Sequence, residues 1–306
     1  MGSISSRIQR VSRRSKRTRQ QQPYLERNWY DRSARSSDPA IFIGGCGRSG
    51  TSLFREILSR HPNIACGPET SMFGLPFDPD NLWPRWEIPE DELRAGEKGC
   101  ANIVEFAEWF YRTYLLRGTV ATRWADKTPN NVRVVDRLLA WFPEGRFIHV
   151  IRDGRDVVCS LRHHPKQKYV GGEIVAQEIT NPISRCASRW LEDTSAGLAY
   201  EGHPRYLSVR YEELVSDPRP TMARVCAFLN EPFAEPMIHP NAESNDRRLE
   251  GRVMCNENAI KPISSQSVGR WKRDLSSNEQ REFCDIAGEL LIALGYATNH
   301  DWVLCD

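Results

Sequence analysis

No run of apolar residues in this 306-residue chain approaches the ~18–20 that a membrane-spanning helix requires. The first residues also lack the apolar core of a secretory signal, so the sequence reads as a soluble globular protein. There is no C-x-x-C pair and no Cys/His cluster among the nine cysteines (Cys46, Cys66, Cys100, Cys159, Cys186, Cys226, Cys255, Cys284 and Cys305), which argues against a zinc site or a disulfide framework. Scattered and odd in number, they read as small buried hydrophobes in a reducing, cytoplasmic compartment. Nor is there an excess of one charge, with 42 Lys+Arg against 40 Asp+Glu. A length of 306 residues at 40% hydrophobic is enough for one large α/β domain with a sizeable core. Internal repeats are absent.

The balanced total hides an uneven distribution. Residues 1–36 hold ten Lys/Arg against two acids, a net of +8, which leaves 32 basic and 38 acidic residues in 37–306, a net of −6. The arm 1–36 is poor in large apolar residues and reads as disordered. Its charge suits either a solvated tail or contact with an anionic surface. Met1-Gly2-Ser3-Ile4-Ser5-Ser6 also fits the N-myristoylation pattern. Residues 37–306 read as one domain. Short apolar runs at 40–43, 64–66, 120–124, 147–151 and 206–209 predict strands. Helical spacing between them (Leu53, Ile57, Leu58; Ile103 to Tyr114; Val132 to Trp141; Ile179 to Leu198; Met222 to Leu229; Phe283 to Leu294) predicts a doubly wound, mainly parallel sheet of the phosphate-loop type, with helices on both faces. Residues 74–98, rich in Pro, acids and Trp, read as an irregular insertion. Ligands of such a sheet sit at the carboxyl ends of its strands.

Gly44-Gly45-Cys46-Gly47-Arg48-Ser49-Gly50-Thr51-Ser52 follows the first strand and opens the first helix, with the glycine spacing of a phosphate loop. Such a loop aims backbone N–H groups at an anion on a helix N-terminus. The lysine of nucleotide hydrolases is missing, since Thr51 stands in its place. A second apolar strand ends at Arg152 where a magnesium-binding Asp would otherwise sit, and Ser160 follows two helical turns on. Two phosphate sites at two strand ends, with no metal site, suit a nucleotide bearing separate 5′ and 3′ phosphates.

These segments resemble sulfotransferases that use 3′-phosphoadenosine 5′-phosphosulfate (PAPS). Gly47 to Ser52 resembles their 5′-phosphosulfate loop, and Arg152-Asp153-Gly154-Arg155-Asp156-Val157-Val158 through Ser160 their 3′-phosphate motif. Arg210 to Val215 with Pro218, Phe228-Leu229 and Gly269-Arg270-Trp271-Lys272 agree in order. Within the family the likeness is to tyrosylprotein sulfotransferases, through Cys66-Gly67-Pro68-Glu69-Thr70, Asp126-Lys127-Thr128-Pro129 and Ile260-Lys261-Pro262. Animal members pair a cysteine before the glutamate with one before the lysine. Here the first is Cys66 and the second place is Ala125, and their membrane anchor has no counterpart.

The resemblance implies Glu69 as general base and Lys127 as the charge on the leaving oxygen, and the surroundings of Glu69 (Cys66, Met72, Phe73) are expected to desolvate it and raise its pKa. It implies Arg48, Ser49, Gly50, Thr51 and Ser52 around the 5′-phosphate, and Arg152 and Ser160 on the 3′-phosphate. Tyr211 would contact the nucleotide and Arg270 would close over it, with Ser267 or Lys272 assisting. His61, His149, His163 and His164 read as structural. The acceptor is open between a protein tyrosine, a carbohydrate hydroxyl and a small alcohol or phenol. An aromatic wall from Phe77, Trp83, Pro84, Trp86 and Pro89 is expected to shape its pocket. PAP is the expected product and no metal is expected. The rival readings are a magnesium-dependent kinase or NTPase and a non-catalytic anion-binding protein using the arm.

Overall fold

The strand Ile41–Gly44 (β1) has no polar side because both of its faces are covered. Phe42 joins one apolar cluster with Trp124, Phe142 and Phe147, while Ile41 and Ile43 join another with Phe54, Ile57 and Val150. The computed structural model describes residues 24, 27–74, 77, 79, 82–170, 173–239 and 263–303. Around β1 stand β2 (Ile64–Cys66), β3 (Arg123–Lys127), β4 (Arg146–Ile151) and β7 (Tyr206–Arg210), in the order β2-β3-β1-β4-β7. Every neighbouring pair is parallel, as the alternation of strands and helices predicted. A separate antiparallel hairpin, β5 (Lys166–Val170) with β6 (Glu173–Gln177), has no counterpart in the sequence reading.

Helix α1 (Thr51–Ser59) turns Phe54, Ile57 and Leu58 onto the sheet. On the opposite face lie α2 (Trp83–Trp86), α3 (Glu90–Gly99), α4 (Ile103–Tyr111) and α5 (Val135–Trp141). A third cluster joins α6 (Gly154–Arg162), α7 (Ile183–Leu198), α10 (Trp271–Asp274) and α11 (Ser277–Ala293). Two further helices, α8 (Tyr211–Ser216) and α9 (Pro218–Leu229), follow β7, and Met222, Val225 and Leu229 join the same apolar cluster as Phe54, Ile57 and Leu58 of α1. Gly295, at φ 73°, stops the chain after α11, as its position predicted.

Several boundaries move. The segment 74–98 is helical over α2 and α3 rather than irregular, because Pro89 precedes a first turn of Glu90, Asp91 and Glu92, charges that favour a helix N-terminus. Phe77 and Trp86 are core residues, not a pocket wall; Trp86 lies so close over Gly67 that a Cβ there would stand 2.8 Å from its Cζ2. The third strand begins at Arg123, and Val120 is left exposed. Helix α5 begins at Val135, after a 3-10 turn over Pro129–Arg133. The packed body starts before residue 37: Trp29 is fully buried against Phe77 and Phe106, and its carbonyl accepts from the Ile103 amide at 2.8 Å. Most of the basic arm, Ile260-Lys261-Pro262, Cys255 and Cys305 lie outside the described residues. Among the described residues no helix is long and apolar enough to cross a membrane. Cys46, Cys66, Cys159, Cys186 and Cys226 are buried thiols outside any disulfide, and Cys66 lies opposite Ala125 in the β2–β3 register.

Candidate active site

All five strands of the main sheet deliver a candidate residue at or just beyond their carboxyl ends. From β1 the chain enters the loop 45–50 and then α1, whose first turn carries no acidic residue to oppose an anion. Gly50 sits at φ 92°, where a Cβ would fall 2.8 Å from Tyr211 Cε2, so only glycine fits the turn. Arg48 adopts φ 75°, an unusual conformation for a non-glycine residue and one that marks functional loops. Ser49 and Thr51 are buried within the loop, while Ser52 lies 3.3 Å from Lys127 Nζ.

The two arginines that the sequence set at separate strand ends meet. Arg152 donates from one amino group to the Arg48 carbonyl at 3.2 Å, and from the other to the Ser267 carbonyl at 2.6 Å. Arg48 Nε donates to Ser160 Oγ at 3.0 Å, which joins the two predicted phosphate sites directly. The Arg152 guanidinium lies 4.4 Å over the Tyr211 ring, whose hydroxyl is 2.7 Å from Ser267 Oγ. Arg152 is 6% exposed, and its Nε–H is buried without a partner. A buried donor on a fixed cation is costly unless an acceptor fills it, so the donor set fits a phosphate.

Asp156 organises the strap that covers this arginine. Its carboxylate accepts from the Gly269 and Trp271 amides at 2.8 and 3.0 Å, and lies 3.9 Å from Arg152. Asp153 instead pairs with Arg155 at 2.7 Å, and Arg155 packs on both Trp271 and Trp302, whose rings meet edge to face. Arg270 turns away to Asp274 at 2.6 Å, so the strap residue brought to Arg152 and Tyr211 is Ser267. Lys272 lies against Trp271, 5.8 Å from the ring centroid.

At the ends of β2 and β3, Lys127 and Glu69 form an ion pair between Nζ and Oε1. Lys127 is almost fully buried, whereas the Glu69 side chain is 35% exposed, so one end of the pair is open to solvent and the other lies against the phosphate loop. From the sequence, burial is expected to raise the Glu69 carboxyl. Burial does push it up, but the Lys127 charge and hydrogen bond, with Arg85 and Arg55 beyond, outweigh it and hold the carboxyl below its ordinary value. Lys127 is itself lowered, by burial first and by Arg55 further off, against the pull of Glu69.

Sequence reasoning missed Arg85, which donates to the Glu69 carbonyl at 2.9 Å, and Arg55. Arg189 was missed too; held by Asp193 at 3.4 Å, it lies against the loop, where a Cβ on Gly47 would stand 3.3 Å from its guanidinium. No motif marks these arginines, because they are solvent-side helix residues until the fold points them inward. His149 and His61 are structural: burial holds His149 down to about 3, its Nδ1 is 2.6 Å from the Tyr206 hydroxyl, and His61 Nε2 is 2.9 Å from the Pro232 carbonyl. Among the described residues no group of three or more His, Cys, Asp or Glu side chains is placed to hold a metal ion.

Known proteins resemble this chain over most of its length. A protein-tyrosine sulfotransferase of Drosophila melanogaster is 27% identical over 267 residues, covering 84% of this chain and 52% of that protein. Protein-tyrosine sulfotransferase 1 of Danio rerio is 28% identical over 268 residues, 84% of this chain and 72% of that one. The chain thus spans about half the length of the fly relative. Among solved structures, the sulfotransferase domain of the Synechococcus PCC 7002 olefin synthase superposes with a TM-score of 0.60 at 21% identity, over 85% of this chain and 96% of that one. The sulfotransferase domain from the curacin biosynthetic pathway gives 0.59 at 19% identity, over 84% and 98%. The profile of the sulfotransferase family matches residues 39–235, a stretch that holds the phosphate loop, Glu69, Lys127, Arg152 and Tyr211, and the chain belongs to that family.

Proposed function

We propose that the protein transfers the sulfuryl group of PAPS to an acceptor hydroxyl, and that the acceptor is a tyrosine side chain of a peptide or protein. The observation that carries the reading is the junction of Arg152 with the Arg48 carbonyl, with the Glu69–Lys127 pair 3.3 Å from the same loop at Ser52. Two guanidinium anchors and a base–cation pair around one loop match the needs of an in-line sulfuryl transfer. The names of the curated relatives support the tyrosine acceptor.

Each residue has a part that its position allows. Arg152, under the Ser267 strap, takes the 3′-phosphate, and Arg48 with the loop amides takes the 5′-phosphate end. Glu69, ionised at neutral pH, accepts the proton of the acceptor hydroxyl as its oxygen bonds to sulfur. The bond from sulfur to the 5′-phosphate oxygen breaks, and charge gathers on that oxygen. Lys127 lies between Glu69 and the loop, so a short shift of Nζ from one to the other neutralises the leaving oxygen. The same shift removes the cation that holds Glu69 down, making it a stronger base when the proton has to move.

An acceptor screen with sulfur-labelled PAPS across tyrosyl peptides, glycans and phenols tests the reading. Label transfer to tyrosine at higher kcat/KM than to the other classes is the expected result. Transfer confined to glycans or phenols would replace the acceptor, and absence of transfer to every class would remove the activity.

A further inference from the structure

Glu69 and Lys127 stand on separate strands, and the last β2–β3 partner pair is Cys66 with Ala125. Beyond it the chain after β2 is a loop, with Ser71 at φ 53°, and backbone pairing no longer fixes where Glu69 lies relative to Lys127. Asp126 occupies this gap. Its neighbour in β1 is Phe42, which faces the aromatic cluster of α4 and α5, whereas Lys127 pairs with Ile43 on the other face. Asp126 therefore points away from the reacting groups, into a core where it is 1% exposed.

A carboxylate buried there is costly unless its oxygens are satisfied. Oδ2 accepts from the Thr70 and Tyr111 hydroxyls, and Oδ1 accepts from Asn131 Nδ2 at 2.6 Å. Thr70 Oγ1 in turn accepts from the Met72 amide at 3.1 Å, and the Ser71 amide donates to Thr128 Oγ1 at 3.2 Å. The linked residues directly flank the pair: Thr70 follows Glu69, while Asp126 and Thr128 bracket Lys127. Tyr111, at the end of α4, is stacked on Trp124 with ring centroids 4.2 Å apart, so the hydroxyl it offers is held by a rigid ring. Burial first, and Asp126 beside it, keep Tyr111 protonated and hence a donor at any working pH.

We infer that Asp126 and Thr70, backed by Tyr111, form a polar weld that sets the distance between Glu69 and Lys127, making them positioning residues for the base. The catalytic meaning of this inference rests on the sulfuryl transfer proposed above; the weld itself does not. Thr70→Val keeps the shape of the side chain and removes its donor. Glu69 then drifts from Lys127, and its carboxyl rises from its depressed value.

The test compares wild type with Thr70→Val, Thr70→Ser and Tyr111→Phe. Thr70→Val is expected to lower kcat about 10–100-fold, as for a reacting group displaced by a fraction of an ångström to an ångström. The KM for PAPS should stay within about twofold, because the nucleotide is held elsewhere. The acid limb of kcat/KM should move to higher pH, Thr70→Ser should restore both values, and Tyr111→Phe should move the limb the same way. Carbon-detected NMR titration of the Glu69 carboxyl, which needs no turnover, should show its pKa raised in Thr70→Val. A Thr70→Val protein with lower thermal stability but unchanged kcat, acid limb and Glu69 titration would overturn the inference. An inactive wild type whose Glu69 titration still moves in Thr70→Val would support the weld and refute the sulfuryl-transfer reading.

Discussion

Removing the Arg152 guanidinium should damage nucleotide binding far more than folding. The side chain is 7% exposed and spans the Arg48 and Ser267 carbonyls, the Asp156 carboxylate and the Tyr211 ring. Truncating one partner of a buried, hydrogen-bonded charge pair costs about 2–5 kcal/mol. At about 1.4 kcal/mol per decade, Arg152→Ala should bind adenosine 3′,5′-bisphosphate roughly 30- to 4,000-fold more weakly. Arg152→Lys keeps the charge but not the planar fork, and should fall between the two. Asp156 retains its two strap amides in either variant, so the protein still folds. The assay is calorimetry with the bisphosphate and with adenosine 5′-phosphate, in a chelator, at fixed salt. The preference of the wild type for the bisphosphate should collapse in Arg152→Ala if, as proposed, the lost contact is the one to the 3′-phosphate. Unchanged affinity, or an equal loss for both nucleotides, would refute the placement of that phosphate.

Other perturbations follow from the same geometry. Glu69→Gln should keep nucleotide affinity while lowering turnover by about 10²–10⁴-fold, and wild-type activity in that variant would move the base elsewhere. The Glu69 carboxyl is held below its ordinary value, so the part of stability it contributes is present above the unfolded value and is lost as pH falls through the folded one. The acid limb of kcat/KM should accordingly lie below about pH 4.3, the ordinary glutamate value, and Lys127→Ala should raise it. Gly50→Ala places a Cβ at φ 92° against the Tyr211 ring, and should abolish binding while destabilising the fold by at least ~1–3 kcal/mol, read by calorimetry and thermal melting. Burial holds His149 down to about 3, so the unfolded chain takes up that proton on acidification and the folded chain does not. Between pH 6.5 and 5 this group should remove about 2 kcal/mol of stability, and His149→Leu should flatten that slope in denaturant melts; an unchanged slope would place the acid sensitivity elsewhere.

The two anchors also explain the cover over the site. Ser267 touches both Arg152 and Tyr211, and Asp156 holds the amides of Gly269 and Trp271, so the strap is tied to the arginine that it covers. Arg155, packed on both Trp271 and Trp302, braces the far side of that strap with the C-terminal turn.

What the sequence determined by itself is local: the apolar strand before Gly44, the glycines that turn the loop, Arg152 at a strand end and Ser160 two turns later. Those features rest on strand and helix periods and on glycine conformations, which a few neighbouring residues settle. The parallel sheet followed from the alternation of such segments. The helices within 74–98 and the burial of Trp29 were not legible, because Pro- and acid-rich composition hides a helix whose aromatic face finds partners only in the fold. The direction of the Glu69 shift was decided by Lys127, 58 positions away, and the company of Arg48 by Ser160, 112 positions away. Charge, hydrogen bonding and burial act through space, and only the folded chain sets those distances.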